Sequence, residues 1–205
     1  MDRNSELYKV GLALHGHKCP AMPLGLRAGL AAMEALGVKH SPDGQLTALV
    51  EMDRNHCSTC FADGVQVATG CTFGKGNIKS LGYGKFALTL IDNKTSRSIR
   101  VIPTIKTMRR NQESEFLGLR RKGTPASQID PALSEPLTDA VLSQPVEALF
   151  TVEPIKQVTP APMLPHAFDT IICAECGEMA VERYARVKHG KIICLPCAEK
   201  TESNG

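Results

Sequence analysis

Apolar residues at helical spacing mark the first part of the chain. Intervals of four, three and three residues separate Leu26, Leu30, Met33 and Leu36. Because Gly37 follows at a position typical of a helix C-terminus, this pattern predicts a helix over residues 23–36. An earlier helix, capped by Asn4 or Ser5, is predicted to start at Glu6 and run toward His15, and a third is predicted over residues 61–69.

Short apolar runs bounded by turn residues predict the strands. Residues 46–50 have the character of one strand. Residues 84–92 and 98–102 are predicted to pair as a hairpin that turns at Asn93–Lys94, and residues 148–158 are predicted to form a later strand. The chain is therefore expected to contain both helices and at least one β-hairpin.

The composition of the sequence changes about halfway along the chain, from apolar segments to a basic one and then a proline-rich one. Residues 104–122 are compatible with a basic helix, and the proline-punctuated segment after them contains a short predicted helix over residues 137–142. The Pro-rich run 159–165 is the best linker candidate. We therefore predict two domains, at residues 1–160 and 167–205.

Composition limits the classes of function. The 205 residues include no Trp, and aromatic residues make up 4% of them, so aliphatic side chains must fill the core. The net charge of +3 is too small to indicate a nucleic-acid or membrane partner by itself. The N-terminal sequence lacks the apolar core of a signal peptide, and no apolar run approaches the ~18 residues of a membrane span. These features predict a cytoplasmic protein in which Cys-x-x-Cys motifs bind metal in preference to forming disulfides.

Four of the eight cysteines lie near the C-terminus as two Cys-x-x-Cys motifs: Cys173, Cys176, Cys194 and Cys197. Tetrahedral zinc needs four soft ligands, and each motif supplies two of them from one tight turn. The interval between the motifs fits a hairpin that turns at His189–Gly190. We therefore predict a structural zinc ribbon, and this pattern favours it over two disulfides or a redox dithiol.

The other four cysteines are mixed with histidine. His15, His17 and Cys19 fall within five residues, and Cys57 and Cys60 form a further Cys-x-x-Cys motif. Alternate residues of an extended turn face the same side, so the first three can converge on one metal ion. Two alternatives stay open: a helix-capping histidine beside a buried cysteine, and redox chemistry of the Cys57–Cys60 pair.

A glycine-rich run at residues 70–77 resembles a phosphate-binding loop only superficially. Three residues, where a Walker A motif has four, separate Gly70 from Gly74–Lys75, and Gly76 stands where the motif requires Ser or Thr. A nucleotide triphosphatase is therefore not expected. The run instead predicts a turn whose backbone amides, with Lys75, approach a ligand closely.

Several of these segments together resemble the FmdE family, named for the accessory component FmdE of the tungsten or molybdenum formylmethanofuran dehydrogenase. The resemblance covers roughly residues 5–160. It is carried by the segments HGHKCP at 15–20, EMD at 51–53, Cys60-x-x-Asp63 and, above all, TGCTFGKGN at 69–77.

The resemblance implies an α+β fold, with N-terminal helices packed on an antiparallel sheet, to which the zinc ribbon is added. It also implies an intertwined homodimer and a metal site built from the HGHxC segment and Cys60, with Cys71 and Lys75 lining the same cavity. This chain departs from the family pattern at Ala21, where glycine is usual, and in its additional His56 and Cys57.

Within this site we predict that His17, Cys19 and Cys60 bind a divalent metal, with zinc favoured over nickel or iron. His17 is preferred to His15 because it lies closer to Cys19 and follows Gly16 directly. Together with Lys75, the remaining candidates are expected to line the pocket: His15, Cys57 and Cys71.

Two classes of function follow. The first is a small metal-dependent enzyme, or an accessory component of a formylmethanofuran dehydrogenase-like oxidoreductase, that handles a small polar ligand in one-carbon or redox metabolism. The second is a zinc-dependent binding or adaptor module without catalytic activity. Nucleic-acid binding is the weakest alternative, because a charged helix such as 106–122 is usually only solvated.

Overall fold

The computed structural model describes residues 1–159 and 166–200. The chain divides into two compact units, Met1–Pro160 and Ala161–Gly205. The predicted linker at 159–165 lies, apart from Thr159, outside the described residues. Within the described part of the chain, no helix is long and apolar enough to cross a membrane.

The N-terminal unit combines helices with one sheet. Its helices are α1 Glu6–His15, α2 Ala21–Leu36, α3 Cys60–Thr69, α4 Ile105–Gln112, α5 Glu115–Arg121, α6 Pro131–Ser143 and α7 Val146–Leu149. Its strands are β1 Leu46–Val50, β2 Ile78–Ser80, β3 Leu88–Asp92, β4 Arg97–Pro103, β5 Phe150–Val152 and β6 Lys156–Gln157.

The sheet has the order β2-β1-β3-β4-β5, and β6 also pairs with β4. All pairs are antiparallel except β1 with β2, which run parallel. The predicted hairpin is formed by β3 and β4, and its turn includes Ser96 in a left-handed conformation with φ of 59°. The predicted α+β fold with helices on a sheet is confirmed, and the sheet differs from the predicted antiparallel one only in its β1–β2 pair.

Helix α2 lies at the centre of the unit because it is apolar on nearly every side. Twelve of its sixteen residues are buried. One face packs against the sheet, and the other faces α3. An all-round apolar helix needs such enclosure, so α2 is the element that holds the sheet and α3 together.

Glycines set an unusually close approach between α2 and α3. A Cβ atom on Gly25 would lie 1.9 Å from the Phe61 carbonyl oxygen, and one on Gly64 would lie 2.0 Å from the Met22 carbonyl oxygen. Gly29 faces the far end of α3 in the same way. The two helices therefore run parallel, and their N-termini lie at the same end of the pair.

The glycine-rich run at 70–77 fastens the end of α3 to the segment that precedes β1. Lys75 Nζ donates to the carbonyl oxygens of Ser41 and Pro42, at 2.8 and 3.3 Å. Asn77 Nδ2 donates to the carbonyl oxygens of Asp43 and Leu46. This run therefore organises the backbone around it.

The basic segment predicted as one helix forms two. Ser114 Oγ accepts a hydrogen bond from the Leu117 amide and so caps the start of α5, while α4 has already ended at Gln112. A serine inside a helix competes for backbone hydrogen bonds in this way. The break turns α5 against the core, where Phe116 is buried.

The C-terminal unit consists of two small hairpins and a helix. The first pairs β7 Thr170–Ile172 with β8 Met179–Val181, and the second pairs β9 Ala185–Lys188 with β10 Lys191–Cys194. Helix α8, Leu195–Lys200, follows. The predicted turn at His189–Gly190 joins β9 to β10 with both residues at positive φ.

Candidate metal centre

Four potential ligands converge at the common N-terminal end of α2 and α3: His15, His17, Cys19 and Cys60. One ligand atom from each lies within 4.8 Å of the other three. The Nε2 atom of His15 is 3.1 Å from Nε2 of His17 and 3.4 Å from Sγ of Cys19. Nitrogen and sulfur atoms bound to one tetrahedral zinc ion are roughly 3.3–3.8 Å apart. The cluster therefore fits a single metal ion.

Chain geometry explains this convergence. His15 is the last residue of α1, and Gly16 at φ 85° ends that helix and turns the chain back. Cys19 lies just before α2, and Cys60 is the first residue of α3. Both thiols thus lie near the positive ends of helices, a position that stabilises thiolates when they bind a metal ion.

A carboxylate behind the cluster orients His15. The imidazole Nδ1–H donates to Asp63 Oδ2 at 2.8 Å, which leaves Nε2 as the atom directed into the cluster. The other carboxylate oxygen accepts from Gln66 Nε2, and Gln66 Oε1 accepts from the Phe73 amide. The glycine-rich run is therefore connected to the site through this chain of hydrogen bonds.

The same contacts govern protonation of the metal-free site. The hydrogen bond with Asp63, and after it one with Cys60, raises the pKa of His15 to about 9. The hydrogen bond from Cys60 lowers the pKa of Cys19, and that contact together with burial raises the pKa of Cys60. Burial, then the charge of His15, lowers the pKa of His17. Cys19 is therefore the first thiol to ionise, beside a protonated His15.

Removing the charge of Asp63 should weaken metal binding without unfolding the protein. We expect Asp63→Asn to lower metal affinity about 10- to 100-fold, because the imidazole loses the partner that fixes its orientation. Competition with a chromophoric chelator would measure this. Asp43→Asn, in the loop before β1, is the matched control and should leave affinity unchanged; equal affinities in both variants would contradict the role given to Asp63.

A cavity of about 280 Å³ adjoins the cluster. All four candidate ligands contribute to its wall, and most of the rest is apolar. Helices α4 and α5 supply a large part of that wall through Met108, Asn111, Gln112, Phe116, Leu117 and Arg120. A small molecule could therefore contact the ligand residues and an apolar surface at the same time.

The structure does not bring all the predicted pocket residues together. Cys57 lines the cavity but lies outside the group of four, whereas His15 belongs to that group. Cys71 is fully buried in the core between α2 and the sheet. The Lys75 amine is held by the two carbonyl oxygens before β1. Neither Cys71 nor Lys75 is among the described residues that line the cavity.

Sequence reasoning did not single out the residues that build the rest of the site. Asp63 entered only as part of a family motif, although its position three residues after Cys60 places both on one side of a helix. Phe86, Phe116 and Arg120 lie in distant segments, and no local pattern marks them as neighbours of the cluster.

The C-terminal cysteines form the second cluster: Cys173, Cys176, Cys194 and Cys197. Their sulfur atoms all lie within 4.8 Å of one another, and Sγ of Cys176 is 3.8 Å from Sγ of Cys194. Backbone hydrogen bonds from Cys176 and then Cys194 lower the pKa of Cys173 to about 6, and the Glu175 amide also donates to Cys173 Sγ. Four convergent thiols, one of them readily ionised, suit a metal ion.

One known protein is similar in sequence to most of this chain. A protein of Archaeoglobus fulgidus, named as a probable S-adenosyl-L-methionine-binding protein, is 36% identical over 196 residues, which are 90% of this chain. Those residues are 50% of the relative, so the chain spans about half the length of the curated protein it matches.

Among solved structures, an FmdE-like protein from Syntrophus aciditrophicus, named for the tungsten formylmethanofuran dehydrogenase, is similar in fold. The TM-score is 0.54 at 23% identity, over 95% of this chain and 91% of that one. A family model described as FmdE, molybdenum formylmethanofuran dehydrogenase operon, matches residues 14–151. Since that match spans most of the chain and includes the whole N-terminal cluster, this chain belongs to the FmdE family.

Proposed function

We propose that the N-terminal unit binds one zinc ion through His15, His17, Cys19 and Cys60 and presents it to a small organic ligand in the adjoining cavity. The observation that carries this proposal is the convergence of four ligand atoms in the wall of a cavity. A purely structural site needs no such space beside it.

The donor set supports zinc. Two thiolates and two imidazoles suit a late first-row metal of borderline softness, and they disfavour ions that prefer oxygen ligands. Nickel and iron share part of this preference, so the metal must be identified on protein purified without added metals. When bound, zinc supplies Lewis acidity toward an oxygen or sulfur atom of a ligand. We assign a second, structural zinc to the ribbon.

Other residues of the site orient the candidate ligands or line the cavity. Asp63 holds His15 in one orientation, whereas the His17 side chain has hydrogen bonds only to other candidate ligands, His15 and Cys60, among the described contacts. His17 is therefore the ligand most readily displaced when a small molecule enters. Phe86, Phe116 and Leu117 exclude water from one side of the cavity.

In the cell, we place the protein in the cytoplasm and in one-carbon or redox metabolism. There it would act as a small metal-dependent enzyme or as an accessory component of a formylmethanofuran dehydrogenase-like oxidoreductase. We also propose a homodimer. Light scattering at micromolar concentration should return twice the mass of the 22.1 kDa chain, and a monomer would contradict this part of the proposal.

The Archaeoglobus relative's name suggests S-adenosyl-L-methionine as a candidate for the cavity. Its adenine ring matches an apolar wall that contains Phe86, Met108 and Phe116, and its carboxylate matches the guanidinium of Arg120 in the same lining, whereas its sulfonium has no carboxylate partner among the described lining residues. Isothermal titration calorimetry with the zinc-loaded protein tests this candidate. If the titration shows no heat of binding at two temperatures, S-adenosyl-L-methionine is excluded as the ligand, and the assignment of the metal site is unaffected.

An adaptor without catalytic activity is the second candidate function, because four ligands can fully enclose a zinc ion. Cobalt substitution distinguishes the two. We expect imidazole to change the visible spectrum of the cobalt protein, since the cavity admits it to the metal. Leu117→Trp, which fills the cavity, should suppress the change. A spectrum that imidazole leaves unaltered in the unsubstituted sequence would favour the adaptor.

A further inference from the structure

One cation decides the fixed charge of the cavity wall. Of the described residues that line the cavity, none is Asp, Glu or Lys, and Arg120 is the one arginine. The cluster itself adds no positive charge, because two thiolates balance a divalent ion and the two imidazoles are neutral when they are ligands. The Asp63 carboxylate behind His15 is negative but is not among the described lining residues. The fixed positive charge that a ligand in the cavity can contact is therefore that of Arg120.

The same arginine extends to a second, more superficial cavity. This space of about 240 Å³ shares Cys57, Gln112, Leu117 and Arg120 with the first, and Arg121 completes its described lining. Arg121 Nη2 donates to Gln112 Oε1, which holds the second guanidinium beside the wall that the two cavities share. The second cavity is thus lined by two arginines and no acidic residue among the described ones.

Arg120 retains donors for a ligand. Its Nη1 donates to the Thr124 carbonyl oxygen at 2.8 Å, just beyond the end of α5. That bond uses one of five N–H donors of the guanidinium, and the planar fork is suited to carboxylate oxygens. Anchoring at Thr124 limits the motion of the side chain, so less entropy is lost when it binds an anion.

We propose that the cavity selects small organic acids, with the apolar body against Phe116 and Leu117 and the carboxylate on Arg120. This inference rests on the proposed function, since it names the class of ligand that the same site accepts. It assigns Arg120 as the residue that distinguishes an acid from a neutral molecule of the same shape. Arg121 increases the local concentration of anions in the second cavity.

The probe pair that tests this is hexanoate and hexanamide, which have equal length and differ in charge. Binding to the full chain is measured by ligand-observed NMR at low ionic strength. We expect hexanoate to bind about tenfold more tightly than hexanamide. The reason is that a hydrogen bond between two charged groups contributes more binding free energy than one to a neutral amide, by an amount equivalent to about a tenfold change in affinity. In Arg120→Gln the preference should fall to within about twofold, with hexanamide affinity unchanged.

Arg109→Gln is the matched control, because this residue lies on α4 and outside the described lining of both cavities. It should preserve the tenfold preference. Equal binding of the two probes to the unsubstituted chain, or a preference that survives Arg120→Gln, would overturn the proposal. Zinc content is measured on the same samples: a chain without N-terminal zinc contradicts the proposed function, whereas the acid-to-amide ratio decides the ligand class separately.

Discussion

Replacing Gly64 with alanine should destabilise the N-terminal unit by about 3 kcal/mol or more. The added Cβ would lie 2.0 Å from the Met22 carbonyl oxygen and 2.4 Å from the Leu26 amide nitrogen. Both atoms belong to the backbone of α2, so no side chain can rotate away to make room. The two helices would have to separate, and the Cys19 and Cys60 thiols would separate with them.

Urea unfolding followed by circular dichroism measures this loss. Gly118→Ala is the matched control, because it makes the same chemical change within α5, where nothing lies within 4 Å of the new Cβ. That control should be neutral or stabilised by roughly 0.5–1 kcal/mol. If both alanine variants unfold at the same urea concentration, the close approach of α2 and α3 does not exist.

The second large effect concerns the ribbon. Cys176→Ala should release the C-terminal zinc and unfold residues 166–200, while the N-terminal unit stays folded. The buried cluster of this unit consists of three candidate ligands and Ile193, so the described residues offer almost no core without the metal. Zinc contributes about 10–16 kcal/mol to such small sites at neutral pH.

Two-dimensional NMR of the labelled chain would show this as collapse of the amide signals from 166–200, with the others retained. Cys57→Ala is the control, because Cys57 is exposed and lies outside both clusters. A ribbon that keeps its dispersed signals in Cys176→Ala would mean that its fold does not depend on the fourth thiolate.

The parts of the fold that sequence reasoning predicted are those that short segments determine. Apolar spacing and Gly37 were sufficient to predict helix α2. The two Cys-x-x-Cys motifs were sufficient to predict that the four C-terminal cysteines converge. Two local details differ for local reasons: Ser114 divides the basic helix, and Pro154 lies between β5 and β6, where one longer strand was predicted.

The remaining parts depend on contacts that no short segment reveals. The parallel pairing of β1 with β2 brings together strands that are separated by α3. His15 belongs to the group of candidate ligands because Asp63, which is 48 residues later in the sequence, fixes the orientation of its imidazole ring. The glycine-rich surroundings of Lys75 indicated a ligand-binding amine, but that amine is held by backbone carbonyl oxygens. The direction in which a side chain such as Lys75 points depends on the folded surroundings, and the local sequence does not reveal it.

The chain should bind two metal ions, one of them at the N-terminal cluster. Elemental analysis of zinc per chain, on protein purified without added metal, tests this central claim most directly. We predict two zinc ions in the unsubstituted chain, two in Cys57→Ser, and one in Cys19→Ser and in Cys60→Ser. One zinc ion in the unsubstituted chain that disappears in Cys176→Ala, or two that survive in Cys19→Ser and Cys60→Ser, would contradict it.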